Sequence, residues 1–232
     1  MKNDLTIIIA HYLSKNCELV NPLIKTINEI SKQKNKYNIE VIIADDGSDY
    51  SNEITENYSK IIQIKDDLRS VYILEEDKLE NFLVKNNFNN RNISKWVYLP
   101  KTIKCMSKAR VTNYAVKESS SNHLLLLDDD NYFISKNSID SLINLFYDYE
   151  VIIGQIQDNN RRLRQFSSTR VQGTTIGIKK NIFLNINGLG EWTEKFSCGI
   201  DSDFWIKLFS YHQKNNLKAC YTNKVSTYDS CS

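Results

Sequence analysis

Three apolar runs restrict what this chain can fold into. LTIIIA at 5–10, EVIIA at 40–44 and HLLLLD at 123–128 are hydrophobic almost throughout, as strands are when both faces of their sheet are covered. Between the first two, NPLIKTINEISKQ sets Leu23, Ile27 and Ile30 at helical spacing. Strand, helix and strand make a βαβ unit, and such units build parallel sheets. SVYILEE, WVYLPK, VIIGQI and TTIGIKK read as further strands, and KARVTNYAVKES and DSDFWIKLFSYHQ as helices. The spacing also predicts a helix over 51–62, and a short helix plus a loop from about 77 to 95. With 232 residues, 41% of them hydrophobic, the chain can bury a sizeable core as one unit. The fold class is therefore α/β.

Charge and cysteine usage narrow the function. A net charge of +2 gives no reason to expect a nucleic-acid partner. The five cysteines are scattered without a CxxC pair, which argues against a zinc site and fits a reducing compartment. No run approaches the roughly 20 apolar residues of a spanning helix, and the N-terminus does not resemble a signal peptide. A cytoplasmic protein is expected, with peripheral contact at the inner membrane face left open. The basic stretch NNRRLRQ, with Arg161, Arg162 and Arg164, could rest on anionic lipid, although a solvated loop is the commoner meaning of such a run.

Two acidic clusters follow the buried strands: ADDGSD after EVII and DDDN after LLLL. Ligands in open α/β sheets bind beyond the carboxyl ends of the strands, so both clusters could face one crevice. DDGSD also reads as an ordinary turn and cap for the next helix. The three aspartates are harder to account for that way. On extended backbone Asp128 and Asp130 would project to the same side and repel, and either protonation or a hard divalent cation would relieve them. Farther on, NGLGEWTEKFSCGIDSDFWIKL places Asp201 at a helix start, as a general base or as a cap.

Taken in order, TIIIAHY, EVIIADDGSD, SKARVTNYA, LLLLDDDNYF, NGLGEW and GIDSDFWIKL resemble the motifs of family 2 glycosyltransferases of the GT-A fold. The resemblance spans nearly the whole chain. It implies a Rossmann-like, mostly parallel sheet flanked by helices, with a nucleotide-binding half at 1–131 and a smaller acceptor-binding half at 132–232 of a single domain. It also implies site residues. Asp46, beside Asp45, would read the nucleotide base near Ala10 and His11. Arg110 would lie near the phosphates. Asp130 and Asp128 would form the Mn²⁺ or Mg²⁺ site, Asp130 as the direct ligand and Asp128 nearer the ribose or a metal-bound water, with Asp129 in the donor-binding set. Glu191 would sit near the donor sugar or the acceptor, and Asp201 would be the catalytic base.

The sequence departs from the family pattern at several points. Ile200 stands where the family has a glutamate, Asn187 and Gly190 replace residues of the family's GGFDE motif, and Ala10-His11 replace Pro-Thr. No histidine follows His212 to serve as a late metal ligand, leaving Asp229 as the substitute. The expected activity is inverting transfer of a hexose from a nucleoside diphosphate sugar, UDP-linked by preference. The acceptor would be a glycan or lipid-linked molecule, as in bacterial-type surface polysaccharide biosynthesis. Two alternatives stay open. One is a catalytically degenerate GT-A domain serving as a binding or assembly subunit. The other is a sugar-1-phosphate nucleotidyltransferase, which would need a glycine-rich loop where AHYLSKNCE stands.

Overall fold

The computed structural model describes all residues except 1–2, 15–19, 35, 66, 89–91, 103–105, 159–161, 168–170 and 231–232. Arg161 and three of the cysteines, Cys17, Cys105 and Cys231, thus lie outside the described residues; Cys198 and Cys220 are free thiols.

At the centre stand four mutually parallel strands, β5 (Lys95–Tyr98), β2 (Ile39–Asp45), β1 (Leu5–His11) and β6 (His123–Asp128), in that spatial order. Both βαβ crossovers of the apolar runs are there: α1 (Pro22–Ser31) joins β1 to β2, and α3 (Lys108–Glu118) precedes β6. Toward one edge the sheet continues through β4 (Ser70–Leu74) and β3 (Lys60–Gln63), both antiparallel. On the other side it continues through β9 (Ile176–Lys179), β8 (Val151–Gln157), β10 (Ala219–Asp229) and β7 (Asn131–Phe133). The ten strands form one mixed sheet, parallel at its centre and largely antiparallel outside it.

Alternation along β1 shows why the central strands had to be apolar on both faces. Ile7 and Ile9 pack with Leu23, Ile27 and Ile30 of α1 on one side. Ile8 packs on the other with Val111 and Ala115 of α3 and with Phe204 and Leu208 of α6 (Ile200–Asn215). Each fully buried side chain of this size contributes roughly 1.5–3 kcal/mol, so the three layers are held mainly by these two cores. Asn21 caps α1 by accepting a hydrogen bond from the Leu23 amide (3.1 Å), and Pro22 occupies the first turn.

The helix expected over 51–62 is not formed. A 3-10 turn covers Asp49–Thr55, and the chain then enters β3, whose Lys60 pairs with Ile73 of β4. Only Ser51 and Ile54 of the turn are buried, too few to support a longer amphipathic helix there. The helix from about 77 is α2 (Glu76–Lys85). Among the described residues no helix is long and apolar enough to cross a membrane.

Candidate active site

Parallel register brings the acidic strand ends together. Ala10 lies opposite Asp128, and His11 opposite Asp45. After Asp45 the chain turns sharply at Gly47, which has a φ of +80° and packs so closely on Lys101 that a Cβ would come within 2.5 Å of it. The two aspartates of this turn have separate tasks. Asp45 is fully buried and accepts hydrogen bonds from the Ser48 amide (2.8 Å) and the Trp96 indole (2.9 Å). It performs the turn chemistry. Asp46 instead reaches a distant segment and accepts from the Ser107 amide at 2.9 and 3.0 Å, with the Lys101 ammonium 3.7 Å away. No side-chain hydrogen bond caps the 3-10 turn that follows. Burial raises the Asp46 carboxyl to about 6 against the pull of Lys101.

The DDDN segment does not have the geometry expected of it. The backbone turns at Asp129 and Asp130 between β6 and β7, so the alternation that would aim Asp128 and Asp130 the same way is broken. Each aspartate takes its own partner. Asp128 meets the Lys108 ammonium at 2.5 Å. Asp129 meets His11 Nδ1 at 2.5 Å, and the other ring nitrogen of His11 lies 2.7 Å from the Tyr50 hydroxyl. Asp130 accepts from the Asn131 side chain at 2.7 Å and has no salt bridge among the described residues. Burial drives Asp128 up to about 6 although Lys108 opposes it. Burial also raises Asp130, and the charges of Asp229 and Asp129 add to the effect.

A divalent metal has a limited fit here. Among the described residues no three His, Cys, Asp or Glu side chains are grouped to hold one. Asp128 is already occupied by a lysine, and Asp229 is ion-paired with Arg164. Asp130 does fit, because its carboxylate lies among other acids without a cation of its own. It could supply one oxygen to an ion whose remaining ligands come from a diphosphate and water.

Across the cleft, Gly199 (φ +83°) begins α6 as its N-cap, and no side chain caps that helix. Asp201 is therefore not a cap. Its carboxylate lies against Gly173, where an added Cβ would come within 2.2 Å of Oδ1. Asp201, Asp128, Lys108, Thr112, Ala10 and Gly173 line one narrow cavity. A neighbouring cleft of about 240 Å³ is lined by His11, Tyr12, Asp46, Lys101, Asp128 and Asp130, and Lys108 borders both spaces. A larger hollow of about 700 Å³ beside α1 also reaches Asp129 and Asp130.

Arg110 and Glu191 are paired with each other at 3.3 Å rather than turned into this cleft. Arg110 also donates to Glu194 at 2.9 Å, and Asn113 donates to Glu191 at 3.0 Å. The centre of this cluster is a residue that no motif marked. Glu194, in the 3-10 turn Glu191–Phe196, accepts from Arg69 (2.6 Å), Arg110 and the Ser107 hydroxyl. Burial alone would push its carboxyl up, but those hydrogen bonds outweigh burial and hold it below its ordinary value. Lys108 lies within the SKARVTNYA motif but has no role in the sequence reading, although helix geometry signals one. Residues two apart on a helix point to nearly opposite sides, so Lys108 and Arg110 cannot both face the carboxylates. His212 binds the Leu217 carbonyl (3.1 Å), a structural contact.

These perturbed acids set opposite limits on stability with pH. Asp46 and Asp128 have folded values of about 6, above the ordinary carboxyl, so their contribution is full below about 4 and is lost as pH rises through about 6. Asp67, held at about 2 by Arg69, and Glu194 run the other way. Their contribution is present above the ordinary value and is lost as pH falls below it. The melting temperature of the unliganded protein is expected to rise from pH 7.5 to about 5 and to fall again below about 4. Thermal melts across that range check this, and Asp46→Asn should flatten the upper limb. A Tm that falls steadily from pH 7.5 to 5 would contradict it.

The family model described as Glycosyl transferase family 2 matches residues 6–79, which include β1 from Thr6 onward, β2 and the Asp45-Asp46 turn. No curated protein matches the chain. Among solved structures, S. aureus TarS aligns over 100% of this chain with a TM-score of 0.61 and 15% identity. This is a GT-A fold. The TarS fragment 1-349 in complex with UDP-GlcNAc gives a TM-score of 0.61 at 15% identity, again over 100% of this chain. The mannosyltransferase PcManGT from Pyrobaculum calidifontis, in complex with GDP-Man and Mn²⁺, gives 0.58 at 11% identity over 100% of this chain. The chain spans 37% of the TarS chain, 59% of the UDP-GlcNAc-bound fragment and 58% of PcManGT. The resemblance to family 2 glycosyltransferases read from the motifs thus stands, carried by residues 6–79 and by the GT-A fold around them. In that fold the carboxyl ends of the parallel strands form the ligand crevice, where Asp46, Asp128 and Asp130 gather.

Proposed function

We propose that this GT-A domain is an inverting glycosyltransferase that moves a hexose from a UDP-sugar to a glycan or lipid-linked acceptor, in the cytoplasm or at the inner membrane face. A role in surface polysaccharide assembly would supply such acceptors. The observation that carries the proposal is a pair of adjoining spaces that share Lys108 and Asp128, with Asp46 and Asp130 lining the donor-side cleft and Asp201 lining the narrow cavity beside it. The nucleotide sugars bound by TarS and PcManGT support a donor of this class. The AHYLSKNCE segment lacks the glycine-rich loop that a nucleotidyltransferase would require.

Each residue has a distinct part in this reading. Asp46 accepts a hydrogen bond from the base edge, with Tyr12 and Lys101 beside it; the ammonium lies 3.3 Å from the Tyr12 ring centre. Asp45 and Gly47 act indirectly, by fixing the turn that presents Asp46. His11 and Ala10 form the floor at the end of β1, and Asp129 fixes His11. Asp201 takes the proton of the acceptor hydroxyl as it attacks the anomeric carbon. The bond to the diphosphate breaks on the opposite face, and the configuration inverts. Arg110 and Glu191 brace the acceptor-side wall. A Mn²⁺ or Mg²⁺ ion on Asp130 would neutralise charge on the diphosphate.

UDP is expected to raise the melting temperature, and to raise it further with Mn²⁺ than with EDTA, because a ligand that binds only the folded state stabilises it. Asp130→Asn should remove the metal-dependent increment and leave the fold intact. An identical UDP shift with and without metal would reject Asp130 as the metal ligand. No shift with UDP, GDP or their sugars under any condition would favour a GT-A domain that has lost its donor site.

A further inference from the structure

The cleft has too much negative charge for the ligand assigned to it. Asp46, Asp128, Asp129 and Asp130 line it, and the cations among its lining residues are Lys101 and Lys108. Lys101 belongs to the base end, where it lies over Tyr12 and near Asp46. Arg110, which the family resemblance would assign to the phosphates, is committed to Glu191 and Glu194. Lys108 is what remains at the Asp128 end. It is the first residue of α3, whose amino end faces the same cleft through the bond from the Ser107 amide to Asp46, so the helix adds partial positive charge beside it. One helical turn on, Thr112 is 3% exposed, and its hydroxyl has no hydrogen-bond partner among the described residues. Thr112, Lys108, Asp128 and Asp201 line the same narrow cavity. A buried hydroxyl without a partner among the described residues, one turn from a half-buried ammonium, suits a wall that meets a polar ligand.

We propose that Lys108 is the resident cation of the reaction centre: it rests on Asp128 when the site is empty and is shared with the donor's diphosphate when the site is filled. This supplies the part of donor binding that needs no metal. The inference rests on the donor reading above, and it divides the cationic work between two places. Asp130 is where a metal would act. Asp128, which the motif pairs with Asp130, instead holds an ammonium whose side chain is 27% exposed and so keeps access to the cleft. The same position places Lys108 within electrostatic reach of Asp201 across the cavity.

UDP titrations by calorimetry on wild type, Lys108→Gln, Lys108→Arg and Asp130→Asn, each in EDTA and in Mn²⁺, test this. Wild type should keep measurable UDP affinity in EDTA. Lys108→Gln should weaken that metal-free binding by about 10- to 100-fold, as loss of a charged hydrogen bond does, while retaining the enhancement by Mn²⁺. Lys108→Arg should restore most of it, which separates lost charge from lost packing. Asp130→Asn should do the reverse, keeping binding in EDTA and losing the enhancement. Unchanged affinity of Lys108→Gln in EDTA would overturn the inference and leave the donor reading intact. Wild-type binding confined to Mn²⁺ would also overturn it. Failure of wild type to bind in either condition would overturn both.

Discussion

Replacing Asp201 with asparagine is expected to lower turnover by about 10²- to 10⁴-fold, the usual contribution of a positioned general base, with little change in UDP affinity. Asparagine keeps the size and one carbonyl oxygen of the side chain but cannot take a proton from the acceptor. If Asp201 were a cap, asparagine would serve as well, but α6 is capped by Gly199 without any side-chain hydrogen bond. Gly173→Ala offers an independent approach. Its new methyl would collide with the Asp201 carboxylate and displace the base without altering its chemistry, so turnover should fall again. Sugar transfer from donor to acceptor, followed by chromatography, measures both, and NMR of the product should show a β-linkage from an α-linked donor. Near-normal turnover of Asp201→Asn would remove Asp201 from the mechanism, and an α-linked product would remove the inverting displacement.

Glu194→Ala should unsettle the whole domain. Its carboxylate is 6% exposed and neutralises both Arg69, whose side chain is 12% exposed, and Arg110. Removing one member of a buried ion pair leaves uncompensated charge and costs about 3–5 kcal/mol, a fall in Tm on the order of 10 °C for a domain of this size. Asp67 still holds Arg69, so the loss should stay toward the lower end. Glu191→Ala, at a side chain 35% exposed, should cost much less, since partly exposed pairs contribute little. Urea or thermal melts of the two variants separate them. Equal stability of Glu194→Ala and wild type would show that the cluster contributes nothing to the fold.

How far the sequence could be read depended on the kind of signal each residue carried. β1, β2 and β6 were legible because strands buried on both faces must be apolar, and α1, α3 and α6 because their inward residues recur with the helical period. β10 was not legible. Its first residues, Ala219–Thr222, alternate only between exposed and half-buried, and its pairing with β7 and β8 comes from segments far away in the chain. The site divided in the same manner. The clusters DDGSD and DDDN located the crevice, because they stand at the carboxyl ends of buried strands, where open α/β sheets bind their ligands. They did not reveal which aspartate turns the chain and which faces the cleft. That separation between Asp45 and Asp46 follows from Trp96 and Ser107, each more than 50 residues away. Glu194 was invisible for a similar reason: its partners come from separate segments, and in sequence it is one more glutamate in a polar loop.

The path from Asp46 to Ser107, from Ser107 to Glu194, and from Glu194 to Arg69 and Arg110 crosses from the first half of the chain into the second and back. Its members belong to one hydrogen-bonded network, so the effects of replacing them will not add. This network would govern any exchange of the proposed halves, 1–131 and 132–232, between related domains. In this chain a seam at residue 131 would leave Arg69 and Arg110 on one side and their shared carboxylate on the other. A foreign second half would have to bring its own acid to that spot, on a turn of the same shape, before any question of acceptor choice arose.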